Sequence, residues 1–136
     1  MLPILEKIYE ECEYYPTIKE VRQWFGVLNE IIFESRIPKF YNIEIKSFRG
    51  QFAACLPCTK TKEPFVRCSE LQIDYKFHNF RGFITILAHE MIHAWEWKTR
   101  GYVSHGKNFF QWKQKLLEHG IPLKKCYHRH SIDKIT

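Results

Sequence analysis

Across residues 80–97 the apolar side chains Phe83, Ile84, Leu87, Ala88, Met91, Ile92 and Trp95 recur at helical period. This stretch constrains the chain more than any other, because the polar residues set into it are His89, Glu90 and His93. Residues four apart on a helix lie ~40° from each other around the axis, one turn apart. Both imidazoles therefore point the same way and can hold one metal ion. Glu90 stands ~100° around from His89, beside such an ion rather than on it. The alternative is an amphipathic helix that carries two histidines by chance, in a chain with seven. Met91 and Ile92, which face a core between the two histidines, weigh against chance.

Zinc suits this pair, since it takes neutral imidazole nitrogens at ~2.0–2.1 Å in tetrahedral geometry. His-Glu-x-x-His is the zincin signature. Its glutamate takes a proton from a zinc-bound water and makes it a nucleophile near neutral pH. A catalytic site needs a third protein ligand and one open position. A metzincin would place Gly and His three and six residues after the second motif histidine. Those positions hold Glu96 and Thr99. A thermolysin-like site would use a later glutamate, and Glu118 is the one that follows Glu96. His105 is the better candidate. Gly101 lets the chain reverse after the motif helix, and Gly106 permits close approach.

The rest of the chain organises around this helix. Ile4, Leu5, Ile8, Tyr9 and Cys12 follow Pro3 at helical spacing and predict a helix over residues 3–14, stopped by Pro16. Thr17-Ile18-Lys19-Glu20 reads as a capping box opening a second helix that ends near Ser35. Its apolar face is Ile18, Val21, Trp24, Phe25, Leu28, Ile31 and Ile32. Tyr41, Ile43 and Ile45 alternate with polar residues, as do Leu71, Ile73 and Tyr75. With residues 51–55 after the Gly50 turn they predict three short strands. Residues 56–64 read as an exposed loop. A last helix is predicted over residues 107–119, with Gly120 closing it. This order argues an α+β domain with N-terminal helices, a small three-stranded sheet covered on one side, the motif helix and a C-terminal helix.

The length of 136 residues predicts a single domain, and 45% hydrophobic residues supply a real core. No apolar run approaches the ~20 residues of a membrane span. The first residues lack the basic start, apolar stretch and cleavage site of a secretory signal. An intracellular monomer without a membrane partner is the expectation.

Taken together, these segments resemble the SprT-like zinc metalloprotease family, whose eukaryotic relatives are called Spartan. The resemblance rests on His89-Glu90-Met91-Ile92-His93-Ala94 and on the His105-Gly106-x-x-Phe109 that follows. Leu28-Asn29-Glu30-x-x-Phe33 before Ile37-Pro38, and the strand Leu71-Gln72-Ile73, match more weakly. It covers roughly residues 20–120 and leaves 121–136 as a basic C-terminal tail. It implies a zincin-like SprT-type domain over residues 1–136, with one zinc per chain on His89, His93 and His105. Glu90 is then the general base, and a protein is the substrate. Spartan-type members cut proteins crosslinked to DNA and are gated by DNA binding, so the resemblance also implies a DNA repair role. Two departures stand out. Many bacterial members carry a C-terminal ribbon with four zinc ligands, whereas only Cys126 follows Cys68 here. The long regulatory tails of Spartan are also absent.

Charge bears on the DNA question. Residues 1–90 hold twelve basic and twelve acidic side chains, whereas residues 91–136 hold nine against three. The second segment thus carries the whole net charge of +6. A one-sided basic segment suits a polyanion, with an ordinary solvated surface as the alternative. Candidate contacts to single-stranded or damaged DNA are Lys98, Arg100, Lys107, Lys124, Lys125 and Arg129. An odd count of five cysteines points to a reducing compartment and free thiols. Cys55-Leu56-Pro57-Cys58 has the spacing of half a zinc knuckle, with Cys68 and His78 as further ligands. Buried thiols on a hairpin are the better reading. Tyr75, Tyr102 and Tyr127 are candidate oxyanion donors. Two other readings stay open. One is a zinc-stabilised DNA-binding module without turnover, which would tolerate loss of Glu90. The other is a peptidase for one dedicated protein target, independent of DNA.

Overall fold

The computed structural model describes residues 12–58 and 67–127. Most of the helix expected over residues 3–14 lies outside them. At its expected end Tyr14 is not helical. It pairs with Phe77 in an isolated antiparallel bridge, with N–H to carbonyl distances of 2.9 and 2.8 Å.

Helix α1 (Ile18–Ile31) begins at the capping box. Thr17 Oγ1 accepts from the Glu20 N–H at 3.1 Å, and the Glu20 carboxylate accepts from the Thr17 N–H at 3.2 Å. Two donors that a helix start would leave orphaned are thereby satisfied. The buried face is Val21, Trp24, Phe25 and Leu28. The helix stops short of the expected Ser35, because Glu34 and Ser35 adopt left-handed backbone with φ of 57° and 60°. Asn29 then brackets the backbone of Ile37, donating to its carbonyl and accepting from its N–H, both at 3.0 Å.

The three expected strands form one sheet. Strands β1 (Asn42–Lys46), β2 (Ala53–Pro57) and β3 (Ser69–Asp74) lie in the order β1-β3-β2. The central β3 runs parallel to β1, with Ile43 opposite Leu71 and Ile45 opposite Ile73. It runs antiparallel to β2, with Ala53 opposite Ile73 and Cys55 opposite Leu71. Leu71 and Ile73 are fully buried, as the two-residue period requires. Strand β2 is an edge, with no strand beyond it among the described residues.

Helix α2 (Phe80–Arg100) carries the motif. Asn79 caps it, its side chain accepting from the Gly82 N–H at 2.8 Å. Residues 82–96 are buried without a break. The apolar period marks one face; α1, the sheet and the segment after α2 cover the others. The expected last helix is two short ones, α3 (Lys107–Phe110) and α4 (Lys113–Glu118), broken at Gln111 and Trp112. Phe109, Trp112 and Leu116 stay buried through the break, so their spacing reads as one helix. Trp112 meets Phe33 and Trp95 edge-on at 5.1 and 5.5 Å.

Past residue 120 the chain still contributes to the hydrophobic core. Ile121, Leu123 and Tyr127 are buried, and residues 124–126 between them are exposed. The five cysteines form no disulfide. Among the described residues, no helix is long and apolar enough to cross a membrane.

Candidate metal centre

Three elements deliver the site. Helix α2 presents His89 and His93 one turn apart, each 7% exposed. Gly101 closes that helix in left-handed conformation, with φ of 76°. A Cβ there would also lie 3.0 Å from the Arg67 guanidinium carbon. The left-handed backbone is what favours glycine at the reversal, since the Arg67 guanidinium ends a flexible side chain that can move aside. The chain returns through Ser104 to His105, the most open of the three rings.

The three Nε2 atoms converge. They lie 3.2 Å apart for His89 and His93, 3.1 Å for His93 and His105, and 3.3 Å for His89 and His105. Tetrahedral ligation at ~2.0–2.1 Å sets ligand nitrogens about 3.3–3.4 Å apart. The triangle therefore fits one metal ion. Burial pushes His89 down to about 3, with its two histidine neighbours adding to the effect and the Lys124 backbone opposing it. Burial lowers His93 and His105 as well. All three rings are neutral near pH 7, which is the form that ligates. Phe109 backs the cluster, its ring centroid 4.9–5.0 Å from each imidazole. Phe109 is fully buried. We expect Phe109→Ala to cost ~3–5 kcal/mol in a chemical denaturation series, as a large buried ring is lost. The same change is expected to loosen metal binding in a chelator competition.

Glu90 stands beside the triangle and is also 7% exposed. Its Oε2 is buried and has no hydrogen-bond partner among the described residues. Burial raises its pKa to about 8, partly offset by the backbone of Cys55 on β2. An unpartnered buried carboxylate oxygen is costly unless a ligand or proton meets it. All four side chains line one cleft of about 450 Å³. Residues 50–55, on β2 and the turn before it, line the same cleft, as do residues 125–127.

A family model described as SprT-like matches residues 21–128. The chain belongs to the SprT-like family. No curated protein and no solved structure matches it. The SprT-like match extends past residue 120 into the turn that ends at Tyr127, in keeping with the burial there.

The other sequence candidates distribute unevenly around this SprT-like centre. Glu118 does not join the triangle; among the described residues the three histidines form the one cluster of ligand groups able to hold a metal. Cys55, Cys58 and Cys68 thus form no second metal group. Burial pushes the Cys55 thiol up to about 12, which leaves it unreactive. Of the three tyrosines, only Tyr127 lines the cleft. Its hydroxyl is committed, donating to the Pro122 carbonyl at 2.5 Å and accepting from the Lys124 N–H at 2.9 Å. It serves as a staple rather than a free donor, with its ring 5.5 Å from His89. Lys125 reaches the cleft wall. Lys98 and Arg100 lie at the end of α2 and Lys107 at the start of α3, flanking the loop of His105. The Arg100 guanidinium sits over the Tyr102 ring at 4.5 Å. Lys124 is exposed on the tail turn, and Arg129 lies outside the described residues.

Sequence reading passed over Glu96. Its carboxylate lies 2.8 Å from His93 Nδ1. The signal was its place three residues after a ligand, which stacks it on the same helix face.

Proposed function

We propose that the protein is a zinc-dependent endopeptidase acting on DNA-associated proteins. The observation that carries this reading is the Nε2 triangle with the unpartnered Glu90 oxygen beside it in an open cleft. Ligation by imidazole alone suits zinc. His89, His93 and His105 would hold the ion, which supplies an acidified water and polarises a carbonyl oxygen when bound. Glu90 takes the proton of the attacking water and returns it to the leaving amine nitrogen. Burial gives this carboxylate the raised proton affinity that the return step needs. A nearby cation draws it back toward the ionised form for the first step. The unpaired edge of β2 offers backbone groups to an extended substrate beside the histidines.

The test is cleavage of unfolded casein and of histones, with and without single-stranded DNA, and with a zinc chelator as control. Cleavage that the chelator abolishes and DNA accelerates is expected. Cleavage indifferent to DNA would leave a peptidase of another target. No cleavage of either substrate would sink the peptidase reading.

The DNA part rests on the net +6 held after residue 90 and on Lys125 at the cleft. Binding of that kind is mostly phosphate contact, so log affinity should fall with log salt by ~0.7 per contact on single strands. Fluorescence anisotropy across a salt series is expected to give a shallower slope when Lys124, Lys125 and Arg129 are all changed to Ser. Absence of binding at low salt would remove DNA from the reading.

A further inference from the structure

Glu96 has no solvent exposure. A carboxylate so placed needs partners, or it stays protonated or destabilises the fold. Among the described residues, no lysine or arginine pairs with it; its carboxylate meets the His93 imidazole instead. Its side-chain partners all belong to the metal centre. Oε1 lies 2.8 Å from His93 Nδ1 and accepts from the Ser104 N–H at 3.4 Å. Oε2 accepts from the Ser104 hydroxyl at 3.3 Å. Ser104 immediately precedes His105, so one carboxylate touches a ligand on α2 and the loop that brings in the ligand from outside it.

We propose that Glu96 is a positioning residue of the metal centre, acting on two ligands at once. By accepting the His93 Nδ1 proton it fixes the tautomer whose Nε2 lone pair faces the triangle. By holding Ser104 it fixes where His105 enters. Tyr102 and Val103, in the loop after Gly101, are half exposed. An amide in place of the carboxylate satisfies only part of this. With its oxygen in the Oε1 place Gln can accept from both His93 and the Ser104 N–H, but it carries no charge and its NH₂ replaces the Oε2 acceptor of the Ser104 hydroxyl. This role rests on the reading of the three histidines as a metal centre.

The experiment is zinc affinity by chelator competition, for wild type, Glu96→Gln, Ser104→Ala and the double variant. Thermal melting of the metal-free forms runs alongside. Partners of this kind typically matter ~10–100-fold in metal affinity. Glu96→Gln is expected to weaken zinc binding within that range. Ser104→Ala is expected to weaken it less, and the double variant no more than Glu96→Gln alone, since the two share one network. Cobalt-substituted protein is expected to show an altered visible spectrum in Glu96→Gln. Unchanged zinc affinity in Glu96→Gln, with only the metal-free melting temperature lowered, would make Glu96 a core residue and overturn the role. If Glu96→Gln does not fold, Ser104→Ala decides: unchanged affinity there overturns the link to the His105 loop. A wild-type chain that takes up no zinc overturns the metal centre itself, and this role with it.

Discussion

Changing Glu90 to Gln is expected to reduce peptide cleavage by ~10²–10⁴-fold, the usual range for a lost general base. The substitution keeps the shape of the side chain and removes its capacity to take a proton. Circular dichroism and zinc content are expected to stay at wild-type levels, because Glu90 lies beside the Nε2 triangle and is not one of its members. Stability should change little, since the variant leaves one buried polar atom without a partner where the wild type leaves another. Retained cleavage by a well-folded Glu90→Gln protein would falsify the zincin mechanism. Loss of zinc with that change would instead make Glu90 a ligand.

Elemental analysis of protein purified without added metal is expected to find about one zinc per chain, falling toward none in His93→Ala. His93 is the choice because its Nε2 lies within 3.2 Å of both other nitrogens. Two remaining imidazoles leave the tetrahedral site with too few protein ligands. Metal that binds only the folded chain stabilises it by RT ln(1 + [L]/Kd), ~4 kcal/mol at a thousandfold excess over Kd. A chelator should therefore lower the melting temperature of the wild type and leave that of His93→Ala unmoved. His105→Ala should behave likewise, and Glu118→Ala should match the wild type. Full zinc in His105→Ala together with loss in Glu118→Ala would mean that the third ligand is misassigned.

The histidines and the strands were legible for one reason: each is a local pattern. The i, i+4 spacing of His89 and His93 places them on one helix face whatever surrounds the helix. The alternation at Ile43, Ile45, Leu71 and Ile73 marks strands before their partners are known. What sequence did not disclose depends on contacts between distant segments. Helix α1 stops short of Ser35, where the backbone turns left-handed and Asn29 clasps Ile37, and no propensity encodes that. The C-terminal helix breaks while Phe109, Trp112 and Leu116 keep an unbroken spacing. Charge drew attention to Lys124 and Lys125 and made residues 121–136 look like a tail. Among the described residues of that segment, Ile121, Leu123 and Tyr127 are core. Glu96 entered the sequence argument only as the residue that excludes a metzincin, and only the approach of Ser104 from a later loop gives it a role.

The ligand triangle is compact in sequence: its outermost members, His89 and His105, are 16 positions apart. Closing so short a loop costs little chain entropy. One helix and one reversal at Gly101 therefore suffice to gather three imidazoles, even in a partly folded chain. The remainder of the cleft has no such economy. Strand β2 comes from far upstream, and the turn locked by Tyr127 comes from beyond α4. The ligand set is thus local in sequence, while the cleft around it is complete only in the whole domain.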